Sequence, residues 1–222
     1  SGMAAISTAM LALTRPGDTV LYAAPAYGGT EYLFDRILPR YGVKVAQVLA
    51  TEGTEALRKA IRDTAAKAAE GGGRLAVVYL ETPSNPLYSL TKYVGGHSDL
   101  IAGGCLGTAE VMARIAEMRT ICGTATDPHT AWLLSRSLET LHLRMERSQD
   151  NARVLSERLR AHDKVTDVLV AGGGAGEQRA IFEAQCQGPG STFSIRVRGG
   201  EAEAFRVLNA LKLFKLAVSL GG

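Results

Sequence analysis

The chain has 222 residues, 46% of them apolar and 21% charged, with a net charge of +3. These are the proportions of a soluble globular protein long enough for one large domain and an appendage. Lys and Arg are interspersed with Asp and Glu, with no basic stripe to follow a nucleic acid, and no apolar run approaches membrane-spanning length.

Met3 to Leu13 is rich in Ala, Leu and Met and predicts a helix, with Ser1 before it as N-cap. Arg15-Pro16-Gly17-Asp18 is a turn, and Thr19 to Ala23 an apolar strand. The loop Pro25 to Gly29 leads to a helix near Thr30 to Arg40. Val43 to Leu49 reads as the next strand, and Thr54 to Glu70 as a helix stopped by Gly71-Gly72-Gly73. Leu75 to Leu80 is a continuous apolar run, as expected of a strand buried on both faces. It ends in Glu81-Thr82-Pro83-Ser84-Asn85-Pro86, a loop at a carboxyl strand end, where ligands of open α/β sheets collect. This alternation predicts a mostly parallel sheet covered by helices.

The rhythm then changes. Asp99 to Gly107 is a short apolar stretch broken by glycines, and Ala109 to Arg119 is a helix. Asp127-Pro128 has the form of an N-cap followed by proline at the first helical position. A long helical stretch to about His162 carries Leu134, Leu138, Leu141 and Met145 at helical spacing, a core-packing stripe. From Lys164 onward a smaller α+β unit is expected, with a strand over Thr192 to Arg198 and a helix over Glu201 to Leu213. Gly172-Gly173-Gly174-Ala175-Gly176 reads as a flexible loop, with no strand running into it and no helix clearly opening from it. The domain expectation is a large domain over 1–145, and a linking helix with a partial C-terminal domain over 146–222.

Cys105, Cys122 and Cys186 are far apart and odd in number, and His97, His129, His142 and His162 lack ligand spacing. Neither a disulfide scaffold nor a metal site is expected. The N-terminal residues have no charged n-region ahead of an apolar one, so the reading is a cytoplasmic protein.

Ser89-Leu90-Thr91-Lys92-Tyr93-Val94-Gly95-Gly96 places two hydroxyls just before a lysine and a glycine pair after it. Hydroxyls hold phosphate esters, and an amine attacks an aldehyde once desolvation or a cationic neighbour lowers its pKa. The alternative for Lys92 is a solvent-facing loop lysine. Ser1-Gly2-Met3 opens a helix, and a glycine-bearing helix N-terminus offers free N–H groups to an anion. Tyr27 sits in the loop after the first strand, where its ring can stack on a flat cofactor and its hydroxyl can work as an acid or base; the alternative is a partly buried loop tyrosine. Asn85 can hydrogen-bond a phenolic oxygen or make an Asx-turn before Pro86.

Together, Ser1-Gly2-Met3-Ala4-Ala5-Ile6, Tyr27-Gly28-Gly29-Thr30, Glu81-Thr82-Pro83-Ser84-Asn85-Pro86, Ser89-Leu90-Thr91-Lys92-Tyr93 and Val218-Ser219-Leu220-Gly221-Gly222 resemble, in order, the Cys/Met-metabolism family of pyridoxal-phosphate (PLP) enzymes. The resemblance implies an α/β fold, the fold-type-I PLP-dependent transferase large domain with helices on both faces of its sheet, plus the start of a smaller α+β C-terminal domain. It implies pyridoxal 5'-phosphate as cofactor, held as a Schiff base by Lys92. Gly2, Met3, Ser89 and Thr91 would bind its phosphate, with Tyr27 on its ring and Asn85 on its phenolic oxygen. Val218 and Ser219 would meet an amino-acid substrate, with Ser219 at its carboxylate. The implied assembly is a homotetramer, a dimer of dimers, without nucleic-acid or membrane partners.

The chain also departs from the family pattern. Only Leu87 and Tyr88 separate Pro86 from Ser89, where the family has a helix, a strand and an aspartate-bearing loop. A segment is therefore expected to be missing there, and with it the aspartate that pairs with the pyridine nitrogen and strengthens the electron sink. An N-terminal arm reaching a partner's site and a C-terminal arginine for the substrate carboxylate have no counterpart in these residues either. Two readings follow: segments of a longer enzyme, with a chain break between Pro86 and Ser89, or a chain truly this short and inactive. The implied chemistry is γ-elimination or γ-replacement on a sulfur-containing amino acid or activated homoserine. Val218, standing where cystathionine-processing relatives often carry glutamate, leans toward methionine or an activated homoserine. Gly29, standing where methionine γ-lyases usually carry cysteine, counts against such a lyase. The reading is a methionine γ-lyase-like activity, with cystathionine γ-synthase or a homoserine sulfhydrylase close behind. A non-catalytic remnant that keeps only the fold and an oligomer interface is the reading from another class.

Overall fold

The structure is a computed structural model that describes residues 1–49, 52–81, 90–174 and 176–214. The chain divides into two compact units, Ser1–Leu134 and Ser135–Gly222.

The first unit is built around strand β1 (Thr19–Ala24), every residue of which is buried. Strand β2 (Lys44–Leu49) pairs with one edge of β1 and β3 (Leu75–Tyr79) with the other, both in parallel, giving the order β2-β1-β3. Parallel neighbours need crossovers, and helices provide them. The segment from helix α2 (Gly28–Tyr32) to Tyr41 joins β1 to β2, and helix α3 (Gly53–Glu70) joins β2 to β3.

Because successive strand residues point to opposite faces, β1 feeds two cores. Val20, Tyr22 and Ala24 pack with Met10 of helix α1 (Gly2–Leu13) and with Leu33, Phe34 and Leu38. Leu21 and Ala23 face the other way, joining Val48 and the partly buried Leu57, Ala60 and Ile61 of α3. This is the α/β arrangement with helices on both faces that the sequence predicts. Phe34 is fully buried, with its ring 5.2 Å from that of Tyr22 and 5.0 Å, edge-on, from that of Tyr79. Burial of such a side chain stabilises the fold by about 2–3 kcal/mol.

The single helix expected over Thr30 to Arg40 is instead a succession. Helix α2 passes into a π turn (Leu33–Ile37) and then a 3-10 turn (Leu38–Tyr41). Pro39 has no N–H to continue the α ladder, and the wider turn lets both Phe34 and Leu38 reach the core. Gly42, at φ +74°, ends the run.

Helix α4 (Ala109–Cys122) starts at Thr108, whose hydroxyl accepts from the Val111 N–H, and ends at Gly123 in the left-handed region. Thr8 and Thr124, one from α1 and one beyond α4, share a hydroxyl–hydroxyl bond of 2.9 Å. Helix α5 (Pro128–Leu138) opens as the sequence predicts, with Asp127 accepting from the Thr130 N–H at 2.9 Å. Hydrogen bonding from the Thr130 side chain, and then from its backbone N–H, holds the Asp127 carboxyl below the usual carboxylate range.

The long helix expected to reach about His162 is two helices. α5 stops at Leu138 and α6 runs over Leu141–Arg160. The Thr140 hydroxyl donates back to the Ser137 carbonyl, and the Arg144 guanidinium donates to the same oxygen at 2.8 Å. Such side-chain bonds compete with the helical ladder and end it.

In the second unit, strand β4 (Val165–Val170) pairs antiparallel with β5 (Phe193–Val197), and helices α7 (Glu177–Gln185) and α8 (Glu201–Ala210) complete the described part. The glycine run does connect a strand to a helix, contrary to the sequence reading. β4 enters it and α7 leaves it. The loop is closed on itself: Arg179 donates to the Gly172 carbonyl at 2.8 Å, and the Phe182 ring packs against Gly172. Among the described residues no helix is long and apolar enough to cross a membrane.

Candidate active site

The first turn of α1 and the loop after β1 meet at one end of the parallel sheet. Ser1 caps α1, its hydroxyl accepting from the Ala4 N–H at 3.1 Å while its carbonyl accepts from Ala5. Gly2 has open space on its side-chain side, for a Cβ there would meet nothing within 4 Å. The first-turn amides of a helix lack intrahelical acceptors and carry partial positive charge, so this end suits an anion.

After β1 the chain turns through a cis Ala24–Pro25 peptide. Two carboxylates then hold the turn. Glu31 accepts from the Ala26 N–H at 2.9 Å, and Glu81, just beyond β3, accepts from the Tyr27 N–H at 2.8 Å. Tyr27 itself is 46% exposed. Its ring lies against Gly29 and close to the Met3 sulfur, since a Cβ built at residue 29 would stand 2.7 Å from Tyr27 Cε1 and 3.2 Å from Met3 Sδ. Thr30, fully buried beneath, directs its hydroxyl toward Met3. A half-exposed tyrosine ring thus stands near an open helix N-terminus, with the Met3 thioether beside the same glycine.

Lys92 lies in a one-turn π helix (Leu90–Gly95). The chain beyond it returns to α1. The His97 ring bonds the Gly95 carbonyl at 2.8 Å, Leu100 packs on Gly95, and Gly103 passes so close to Ser1 that a Cβ would be 2.3 Å from the Ser1 carbonyl oxygen. Only glycine admits that approach. Gly2, Met3 and Tyr27 are therefore brought together, and the backbone carrying Lys92 leads back to them. The side chains of Thr91 and Lys92 lie outside the described part, as do Asn85, Ser89, Val218, Ser219 and the Pro86-to-Ser89 junction.

Glu81 has no role evident from the sequence alone. Its carboxylate uses one oxygen for the Tyr27 N–H and the other for the Tyr79 hydroxyl, at 2.9 Å. Burial, and then the bond to Glu81, push the Tyr79 phenol up to about 12. The only signal in sequence was an acidic residue directly after an apolar strand. A separate cleft of about 550 Å³ opens on another face of α1, between Thr8, Cys105, Arg119 and Thr124, and neither Met3 nor Tyr27 lines it.

The family model for the Cys/Met metabolism PLP-dependent enzymes matches residues 1–90 and 87–222. The chain belongs to this family. A cystathionine gamma-synthase of Mycobacterium tuberculosis is 30% identical over 266 residues, covering 100% of this chain and 66% of its own length. An L-methionine gamma-lyase of Pseudomonas putida is 32% identical over 255 residues, covering 100% of this chain and 64% of its own. The crystal structure of a cystathionine gamma-lyase from Lactobacillus plantarum, complexed with L-serine, superposes with a TM-score of 0.80 at 26% identity, over 100% of this chain and 66% of that one. The fold is thus that of the family's α/β large domain, and the family's cofactor is PLP. The chain spans about two thirds of the length of these relatives. The family match breaks at 87–90, and both alignments are longer than the 222 residues of this chain, so the relatives carry residues that have no counterpart here.

The described residues fit PLP in two respects: open first-turn amides for a phosphate and an exposed aromatic face beside them. Both Glu81 oxygens are engaged within the protein, by the Tyr27 N–H and the Tyr79 hydroxyl.

Proposed function

We propose that this chain is the lysine-bearing part of a PLP-dependent enzyme that eliminates or replaces the γ-substituent of a sulfur-containing amino acid or an activated homoserine, with methionine γ-lyase-like activity. The observation that carries this reading is that the Tyr27 ring and the Met3 sulfur, in the first turn of α1, both close on Gly29, in a chain of this family. The first-turn amides of α1 with Ser89 and Thr91 would bind the phosphate, and Asn85 the phenolic oxygen. When bound, PLP supplies an electron sink for carbanion chemistry at the substrate. Lys92 Nζ takes the α-proton and returns it. The Tyr27 hydroxyl protonates the departing γ-substituent, and Ser219 and Val218 orient the substrate's carboxylate and side chain. The assembled protein is proposed as a homotetramer.

A second reading, cystathionine γ-synthase or homoserine sulfhydrylase, is supported by the synthases among the relatives. Release of methanethiol from methionine marks the first activity, and thiol-dependent consumption of an O-acyl homoserine the second. Borohydride treatment after incubation with PLP tests the shared premise. A pyridoxyl adduct on the Lys92 peptide, lost in Lys92→Ala, supports it. Absence of any adduct leaves the chain as a non-catalytic remnant, the reading that the missing aspartate favours.

A further inference from the structure

We infer that Glu81 is the positioning residue for Tyr27: it ties the loop that carries the tyrosine ring to the end of the neighbouring strand and so fixes where that ring meets a cofactor. This rests on the proposed reading of the site.

Glu81 and Tyr27 are 54 positions apart in sequence and belong to loops following different strands. β3 lies beside β1 in parallel, with Tyr79 paired to Tyr22, so the two chains leave the sheet at the same end. The Tyr27 N–H then reaches Glu81 Oε2 at 2.8 Å, a backbone donor to a carboxylate, which is the stronger kind of hydrogen bond. The other oxygen is held from below. Tyr79 donates to Glu81 Oε1 at 2.9 Å, and its ring stands edge-on against the fully buried Phe34. Core, Tyr79, Glu81 and the Tyr27 backbone thus form one chain of contacts. The ring itself is 46% exposed, with Gly29 and the Met3 sulfur beside it. With both carboxylate oxygens engaged inside the protein, Glu81 acts through Tyr27 and does not touch the substrate itself.

The test compares the full polypeptide with Glu81→Met, which keeps the length of the side chain and removes both acceptors, and with Glu81→Gln. The glutamine carbonyl still accepts from Tyr27, while its amide donates to the Tyr79 hydroxyl. Two quantities are measured: hydrogen exchange of the peptide containing the Tyr27 amide, and uptake of PLP alone followed by absorbance. In Glu81→Met, exchange at Tyr27 should rise about tenfold or more, the scale of losing a bond to a charged group. The amides of Val20 to Ala23 should stay protected, and PLP affinity should fall severalfold. Glu81→Gln should recover most of both losses. Unchanged exchange at Tyr27 in Glu81→Met overturns the inference. So does increased exchange with PLP affinity untouched. A native chain that takes up no PLP is a different failure. It removes the cofactor reading and the role of Glu81 together, whereas failure of this inference alone leaves a native chain and a Glu81→Met chain that bind PLP equally well.

Discussion

The ring of Tyr27 rests on the backbone of Gly29, so closely that a Cβ on residue 29 would stand 2.7 Å from Tyr27 Cε1. No side chain fits there without moving the ring. Because the ring is half exposed, it can swing outward at little expense to the fold. Gly29→Ala should therefore leave stability within about 1 kcal/mol of the native chain, below the usual cost of overpacking a closed core. It should change the near-ultraviolet circular dichroism of tyrosine and weaken PLP uptake. Equal spectra and equal affinity would show that the ring is not held where it lies.

Gly103 meets a harder obstacle. A Cβ there would be 2.3 Å from the Ser1 carbonyl oxygen and 2.7 Å from its carbon, and backbone cannot rotate away as a ring can. Gly103→Ala should push the chain beyond Lys92 off the first turn of α1, at a cost of about 1–3 kcal/mol or more. The denaturation midpoint should fall, and the Ala4 and Ala5 amides, bonded to Ser1, should exchange faster.

Phe34 is the keystone of the core beneath the site. It has no exposed surface and contacts both Tyr22 and Tyr79. Phe34→Ala should destabilise the first unit by about 3–5 kcal/mol, the usual range for an aromatic truncated in a closed core. Since Tyr79 supports Glu81, a milder Phe34→Leu should loosen the Tyr27 loop before it unfolds the sheet, which amide exchange at Tyr27 would register.

Alkaline pH should act through the same tyrosines. Burial and the Asp35 carboxylate push the Tyr22 phenol up to about 12, and burial with the Glu81 bond does the same for Tyr79. The folded state therefore holds these two protons more tightly than the unfolded state, whose phenols titrate near 10. The associated stability is complete below pH of about 10 and is lost as pH rises toward about 12. Denaturant midpoints measured across that window should fall, and the fall should be shallower in Tyr22→Phe, which has no phenolic proton to lose.

Much of the first unit was legible as sequence because its signals are local. The apolar run of β1 reports a strand buried on both faces, whereas that of β3 reports a strand but not its burial, since its residues are only half-buried and Val78 is exposed at the sheet edge. Ser1 and the Asp127-Pro128 pair report helix starts that depend on a few neighbouring atoms. The motif order alone was enough to indicate the family. Where the reading failed, a distant or competing partner decided. Pro39 and the needs of the core turned one expected helix into three successive turns, and the Thr140 and Arg144 side chains at the Ser137 carbonyl split another. β4 and α7 are short and largely exposed, and give no clear apolar period in the sequence. The site divides in the same way. Sequence by itself determined which residue types are available: a glycine-bearing helix start, a loop tyrosine, and a lysine after paired hydroxyls. Only the tertiary structure decided that the Tyr27 ring and the Met3 sulfur both close on Gly29 and that Glu81 accepts from the Tyr27 N–H, because a hydrogen bond spanning 54 residues exists only once β3 has paired in register beside β1.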